Sequence, residues 1–178
     1  ILGFPDTINQ FVEKRQKNDP DLTVEKYKEG YGHFYREMMG EVHKVLGDLK
    51  TYVPDYHGQG YEIAGCVWFQ GHNDSFSDQA IAEYEKHLVN LINDVRKEFK
   101  QPKLPFVVAT VGFGGHNMAD KFERILKAQL AVGNAQQHPE FAGTVASVDT
   151  RDFWREVDES PTNQDYHYNR NAATYMLI

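Results

Sequence analysis

Apolar residues along this chain form two patterns, continuous runs and stripes at helical spacing. Continuous runs cover about residues 63–69, 106–111 and 144–148. Each run is too short to span a membrane, and such runs are typical of strands buried on both faces of a parallel sheet. Stripes with steps of three and four cover about residues 31–49, 79–100 and 119–137. They predict amphipathic helices, whereas residues 1–30 lack such periodicity and are predicted to be irregular.

The order of these elements is a helix followed by repeated strand and helix, which predicts an α/β protein with a parallel sheet. Right-handed helical crossovers would place the carboxyl ends of all three strands on one edge of that sheet. Open α/β sheets carry their chemistry at this edge. Polar turns at 70–74, 112–117 and 149–152, and a later loop at 166–169, are therefore expected to converge there.

Length and charge narrow the class of protein. The 178 residues suit one domain, so we predict a single α/β domain over 1–178. Lys and Arg number 19 against 26 Asp and Glu, a formal charge of −7. Without a basic cluster, this balance argues against nucleic acid or an anionic membrane as a partner. The chain begins at Ile1 and stops within an apolar run, so we expect both ends to be cut or processed.

The turn after the first strand, Gln70 to Asp74, is the first candidate site. Gly71 allows its backbone N–H to approach a substrate closely, and the side-chain amide of Asn73 can donate to a developing oxyanion. Gln70 and His72 flank these residues and are candidates for substrate contact. The alternative is a purely structural strand-to-helix turn in which Asp74 caps the following helix.

His167 is the best candidate for a general base, because it lies in a polar, aromatic loop after the third strand. Asp165, two residues earlier, could orient it. The alternative is a loop histidine that only packs between its neighbouring tyrosines. His72 and His116 could join Asp149 in a metal site, but their spacing fits no zinc signature, so we predict neither a metal nor another cofactor.

Several segments are similar to one known family. The sequence WFQGHND at 68–74 resembles the WFQGxND block of the SGNH hydrolase superfamily, in the sialate O-acetylesterase-like, acetylxylan-esterase-related group (family six of the carbohydrate esterases). Segments 83–99, 104–112, 148–154 and 160–178 agree with the same family. The resemblance covers roughly the last two-thirds of the chain.

This resemblance implies a flavodoxin-like, three-layer α/β/α fold and hydrolysis of acetyl esters on carbohydrates. In such enzymes a serine attacks the acetyl carbonyl and a histidine takes its proton. Gly71 and Asn73 match the block that holds the oxyanion, and His167 matches the catalytic histidine. The family also suggests a secreted or periplasmic location and an acetylated carbohydrate as substrate.

The chain departs from the family pattern in two places. The family's early GQSN-like block, which carries the nucleophile, and its second glycine block are absent, so we expect the N-terminal strand or strands to be missing. An upstream companion polypeptide or a homo-oligomer would then cover the exposed sheet edge. The family commonly places its acid three residues before the histidine, where this chain has Gln164, and Asp165 is one residue closer.

Two further hypotheses follow from the missing nucleophile. A serine of this chain could substitute for it, and Ser75 is the nearest to the candidate turn, although it lacks a strand–elbow–helix context. The candidates farther from the turn are Ser77, Ser147 and Ser160. Alternatively, the chain is a non-catalytic carbohydrate-binding or structural module. Its stacking residues would be the aromatic ones in the loops, namely Phe113, Trp154, Tyr166 and Tyr168.

Overall fold

A computed structural model describes residues 5–156 and residue 158. The chain divides into two compact units, Ile1–Tyr61 and Glu62–Ile178. The single domain over 1–178 stays a prediction. No helix among the described residues has the length and apolar character needed to cross a membrane.

The first unit is helical in its described part. Its helices are α1 (Pro5–Gln16), α2 (Val24–Glu29), α3 (His33–Gly47) and α4 (Leu49–Tyr52). The prediction of an irregular segment over 1–30 is wrong, because α1 and α2 lie there. The sequence pattern of α1 is weak because its buried apolar residues, among those described, are Ile8 and Val12, one helical turn apart. Two positions are too few to produce a recognisable periodicity. The hydroxyl of Thr23 caps α2 by accepting from the Lys26 N–H at 3.1 Å.

The second unit contains a parallel three-stranded sheet among its described residues. In chain order its elements are β1 (Cys66–Phe69), α5 (Asp78–Glu98), β2 (Phe106–Ala109), α6 (Asp120–Val132) and β3 (Val145–Val148). The strands lie in the order β1-β2-β3 and all run parallel, with Trp68 opposite Val108 and Val108 opposite Ser147. The predicted α/β class with a parallel sheet is confirmed and is consistent with a three-layer fold.

The core of this unit lies on one face of the sheet. Phe106 and Val108 point to that face and are almost fully buried, and α6 packs on β2, β3 and α5. The apolar stripes predicted for α5 and α6 supply Ile92 and Ile125 to the same core. Helix α6 ends at Val132, earlier than predicted, and Gly133 is its C-cap. A Cβ on Gly133 would collide with Ser147, so close packing on β3 requires a glycine at this helix end.

The prediction that the first strand is buried on both faces is wrong. Val67 is 72% exposed and Phe69 is 46% exposed, and the two alternate with less exposed neighbours along β1. Within residues 62–156, β1 is an edge strand that pairs only with β2. Right-handed crossovers along the order β1-β2-β3 put α5 and α6 on the same face, so the face that carries Val67 is not covered by these helices.

Candidate active site

The turn that follows β1 (the β1 turn, residues 70–74) depends on a glycine at position 71. Gly71 has φ +149°, a backbone conformation that residues with a side chain rarely adopt. A Cβ at this position would lie 2.8 Å from Ile125 Cγ2 and 2.9 Å from Val111 Cγ1. The glycine is therefore explained by close packing of the turn against α6 and the end of β2, independently of any substrate.

Two buried side chains hold the carbonyl of Gln70. The Tyr84 hydroxyl donates to it at 2.7 Å, and the Gln129 Nε2 donates to it at 2.7 Å. The Gln129 Oε1 in turn accepts from the Val111 N–H at 2.7 Å. Burial raises the pKa of Tyr84 to about 12, so its hydroxyl remains a donor well above neutral pH. The side-chain amide of Gln129 thus links the β1 turn to Val111, two residues after the end of β2.

Sequence reasoning did not identify Gln129 or Tyr84 as parts of the site. A signal for Gln129 was present, because it continues the inward stripe of Phe122, Ile125 and Leu126 on α6. It is fully buried, with 0% exposure. A buried amide at such a position requires hydrogen-bonding partners, and those partners come from segments far away in the sequence.

Asn73 has the exposure and the free donor expected of a residue that contacts a ligand. It is exposed, and its side chain makes no hydrogen bond within the described part of the chain. The alternative prediction, that Asp74 caps the helix after this turn, is wrong, because Asp74 does not cap α5. Asp74 accepts from Gln70 Nε2 at 2.6 Å, and the cap is Ser77, whose hydroxyl accepts from the Ala80 N–H at 3.3 Å.

The structure gives Ser75 a structural role. Its side chain is buried, with 3% exposure, and its hydroxyl donates to the His72 carbonyl at 2.6 Å. A nucleophile needs an accessible oxygen and a neighbouring base. This geometry therefore argues against Ser75 as the nucleophile.

The ring of His72 lies in an aromatic cluster. Its centroid is 5.1 Å from those of Phe76 and Phe113 and 5.9 Å from that of Phe122. His72 therefore packs the β1 turn against the turn that follows β2 (the β2 turn, residues 112–117). Phe113 also meets Trp154 edge to face at 6.4 Å, which extends the aromatic contacts beyond β3.

The turn that follows β3 (the β3 turn, residues 149–152) contacts the β2 turn through a histidine–carboxylate pair. His116 Nε2 lies 2.7 Å from Asp152 Oδ1, and both side chains are exposed. Asp149 instead pairs with Arg151, whose hydrogen bond holds the pKa of the Asp149 carboxyl below its usual value. His72, His116 and Asp149 are thus engaged separately and do not form the metal site considered from the sequence.

The three described turns converge at the carboxyl edge of the sheet, as the strand order predicted. Buried threonines support this edge, since the Thr150 hydroxyl donates to the Thr110 carbonyl at 2.6 Å. The fourth expected contributor, the loop with Asp165 and His167, lies outside the described residues. Their roles as orienting acid and general base stay predictions.

A small cleft opens beside the β1 turn, between β1 and α5. Its volume is about 100 Å³, whereas small-molecule pockets usually measure about 300–1,000 Å³. The cleft is thus large enough for a few atoms but not for a sugar ring. Its lining residues are Trp68, Gln70, Asp74, Tyr84, His87, Leu88 and Leu91.

Comparison with solved structures supports the fold. A protein from Arabidopsis thaliana has a similar structure, with a TM-score of 0.55 and 19% sequence identity. The match covers 81% of this chain and 48% of the Arabidopsis chain, so this chain spans about half the length of the structure it matches. Comparison with curated proteins finds no match.

Comparison with protein families identifies the class. A family of carbohydrate esterases, described as sialic acid-specific acetylesterase, matches residues 22–174. The chain belongs to this carbohydrate esterase family. The match includes all three described turns and also the segment with Asp165 and His167.

Proposed function

We propose that this chain supplies the oxyanion-binding and histidine-bearing part of a carbohydrate acetylesterase of the Ser–His type, acting on acetylated carbohydrates. The observation that carries the proposal is the β1 turn. It combines a glycine whose N–H has no acceptor among the described residues with an exposed asparagine whose side-chain amide has no partner among them. Membership of a carbohydrate esterase family supports the reaction class.

In the proposed reaction, a serine oxygen attacks the acetyl carbonyl and the carbonyl oxygen becomes an oxyanion. The Gly71 N–H and the Asn73 side-chain amide donate to this oxyanion. His167, oriented by Asp165, takes the serine proton and delivers it to the sugar oxygen as its bond to the acetyl carbon breaks, so that the sugar leaves with a free hydroxyl. Water then attacks the carbonyl of the acyl-enzyme while His167 takes a proton from it. The acetyl–serine bond breaks, acetate leaves and the serine oxygen recovers the proton from His167. Gln70 and His72 shape the turn from either side of Gly71.

The nucleophilic serine is supplied by an upstream companion segment or by another polypeptide. The edge position of β1 supports this proposal, because the unpaired backbone groups of an edge strand can bind a further strand. The exposure of Val67, at 72%, also supports it, since an apolar side chain on a strand gains from being covered. A homo-oligomer is the competing source of such cover.

Labelling with a serine-reactive fluorophosphonate, read by mass spectrometry on the purified material, tests the source of the nucleophile. We expect the label on a serine outside residues 1–178, in a co-purifying or continuous polypeptide. Label on Ser75 would overturn the assignment of that residue as structural. No label in material that contains the companion would refute the esterase proposal.

An asparagine substitution tests the role of the turn in the labelled material. Asn73→Ala should lower kcat for an acetyl ester about 100- to 1,000-fold, as does loss of a comparable oxyanion donor in other hydrolases. Asn117→Ala is the matched control, because Asn117 is an exposed asparagine in the β2 turn. Equal activity of the two variants would contradict a role for Asn73 in binding the oxyanion.

A second candidate function is a non-catalytic carbohydrate-binding module. The contact of Phe113 with Trp154 favours it, because aromatic side chains lie at the same edge as the β1 turn. Tyr166 and Tyr168, the other expected stacking residues, lie outside the described residues. Sugar binding that persists in material without any labelled serine would favour this function, and turnover of an acetyl ester would exclude it.

A further inference from the structure

We infer that Gln129 and Tyr84 are positioning residues that fix the direction of the Gly71 N–H, so that it faces an anionic oxygen bound at the β1 turn. This inference rests on the proposed function, and it adds a cause for the geometry of the oxyanion site. The argument depends on the orientation of a single peptide unit, the one between Gln70 and Gly71.

The orientation of the Gln129 amide follows from its partners. The Val111 N–H can only donate, so the side-chain atom that faces it at 2.7 Å must be the acceptor, Oε1. The other atom, Nε2, is then a donor with two hydrogens. It uses them on the Gln70 carbonyl at 2.7 Å and the Tyr84 hydroxyl at 3.1 Å.

The Tyr84 hydroxyl completes the arrangement. It accepts from Gln129 Nε2, and its own hydrogen is therefore available for the Gln70 carbonyl, 2.7 Å away. The Gln70 carbonyl oxygen thus accepts two hydrogen bonds from buried donors. A carbonyl held by two such donors cannot rotate without leaving both donors unsatisfied, which costs about 1–3 kcal/mol for each buried group.

Fixing this carbonyl also fixes the next N–H. The described peptide bonds are all trans, and the N–H of a planar trans peptide points opposite to the C=O. The Gly71 N–H therefore points away from Gln129 and Tyr84. Gly71 is buried, and among the described residues no acceptor takes its N–H. A backbone N–H without a protein partner in such a buried residue is uncommon and requires an explanation, which a bound oxyanion provides.

Nuclear magnetic resonance on the ¹⁵N-labelled chain tests this inference with acetate, whose carboxylate resembles the oxyanion. In the wild type, acetate should shift the Gly71 amide signal in a saturable way. Tyr84→Phe and Gln129→Met should each weaken that response about fivefold in apparent Kd, the equivalent of one hydrogen bond. Tyr84→Phe retains the buried ring, so it serves as the second variant should Gln129→Met unfold the protein.

The control removes a polar contact at the opposite edge of the sheet. Thr144 Oγ1 accepts from the buried Arg96 guanidinium at 2.9 Å, so Thr144→Val lowers stability without touching the β1 turn. A merely structural role for Tyr84 and Gln129 predicts a lower Tm and an unchanged acetate response, as in the control. That result would overturn the inference, and so would a Gly71 signal that acetate does not move in the wild type.

The test of the positioning role and the test of the esterase proposal can fail independently. Ester turnover with a labelled serine, combined with a Gly71 signal that ignores acetate, would refute the positioning role alone. A Gly71 response that weakens in both variants, combined with no turnover in material that contains the companion, would support the positioning role and refute the esterase proposal.

Discussion

Replacing Gly71 by alanine should be among the most destabilising single changes in the second unit. The new Cβ would lie 2.8 Å from Ile125 Cγ2, 2.9 Å from Val111 Cγ1 and 3.3 Å from Gln129 Nε2. Inserting a methyl group into a packed core costs about 1–3 kcal/mol. The φ of +149° adds backbone strain of about 1–3 kcal/mol. We expect a combined loss of about 4 kcal/mol in the free energy of unfolding.

The measurement is urea-induced unfolding followed by tryptophan fluorescence. Both tryptophans, Trp68 and Trp154, belong to the second unit, so the signal reports on the part that contains Gly71. The matched control is Gly143→Ala, because Gly143 also has a positive φ, +72°, but has nothing within 4 Å of its would-be Cβ. The control should lose only about 1–2 kcal/mol. A loss in Gly71→Ala no larger than in the control would refute the packing argument.

Two further changes test other contacts. The pKa of His138 is raised, chiefly because its ring donates a hydrogen bond to the Glu140 carboxylate. Burial lowers this pKa and a second hydrogen bond, to Glu85, raises it further. The stabilisation from His138 is then fully present below the unfolded pKa of about 6.5 and is lost as pH rises through the folded pKa. The wild-type Tm should fall between pH 6 and 8 by more than that of His138→Gln, and parallel curves would contradict this. Ser75→Ala should lose about 1–2 kcal/mol by urea unfolding and leave fluorophosphonate labelling unchanged; a lost label would make Ser75 the nucleophile.

The sheet and its two covering helices were predictable because their signals are local. Apolar runs gave β1, β2 and β3, and stripes at helical spacing gave α5 and α6. The exposure of Val67 was not predictable, because it depends on β1 being at the edge of the sheet, and strand order is a property of the whole fold. α1 was missed because its buried pair, Ile8 and Val12, is too narrow to show periodicity.

The candidate site was predictable in position but not in its supporting contacts. The polar turn after β1 and its convergence with the later turns followed from parallel topology. The helix cap was misassigned because Asp74 and Ser77 are both good capping residues, three positions apart, and only the backbone path selects Ser77. Gln129 lay on the inward stripe of α6, yet its partner at Gln70 is 59 residues away in the sequence, where no local rule applies.

The 59-residue separation of Gln70 and Gln129 has a consequence for how the candidate site forms during synthesis. Contacts between residues distant in sequence form only after the intervening loop has closed, at an entropic cost. The β1 turn therefore cannot take its final shape until the ribosome has released α6 and that helix has packed on the sheet. A nascent chain interrupted before residue 129 would contain the family motif at 68–74 but not the amide that orients it. The timing of assembly is thus determined by a helix that carries none of the proposed reacting groups.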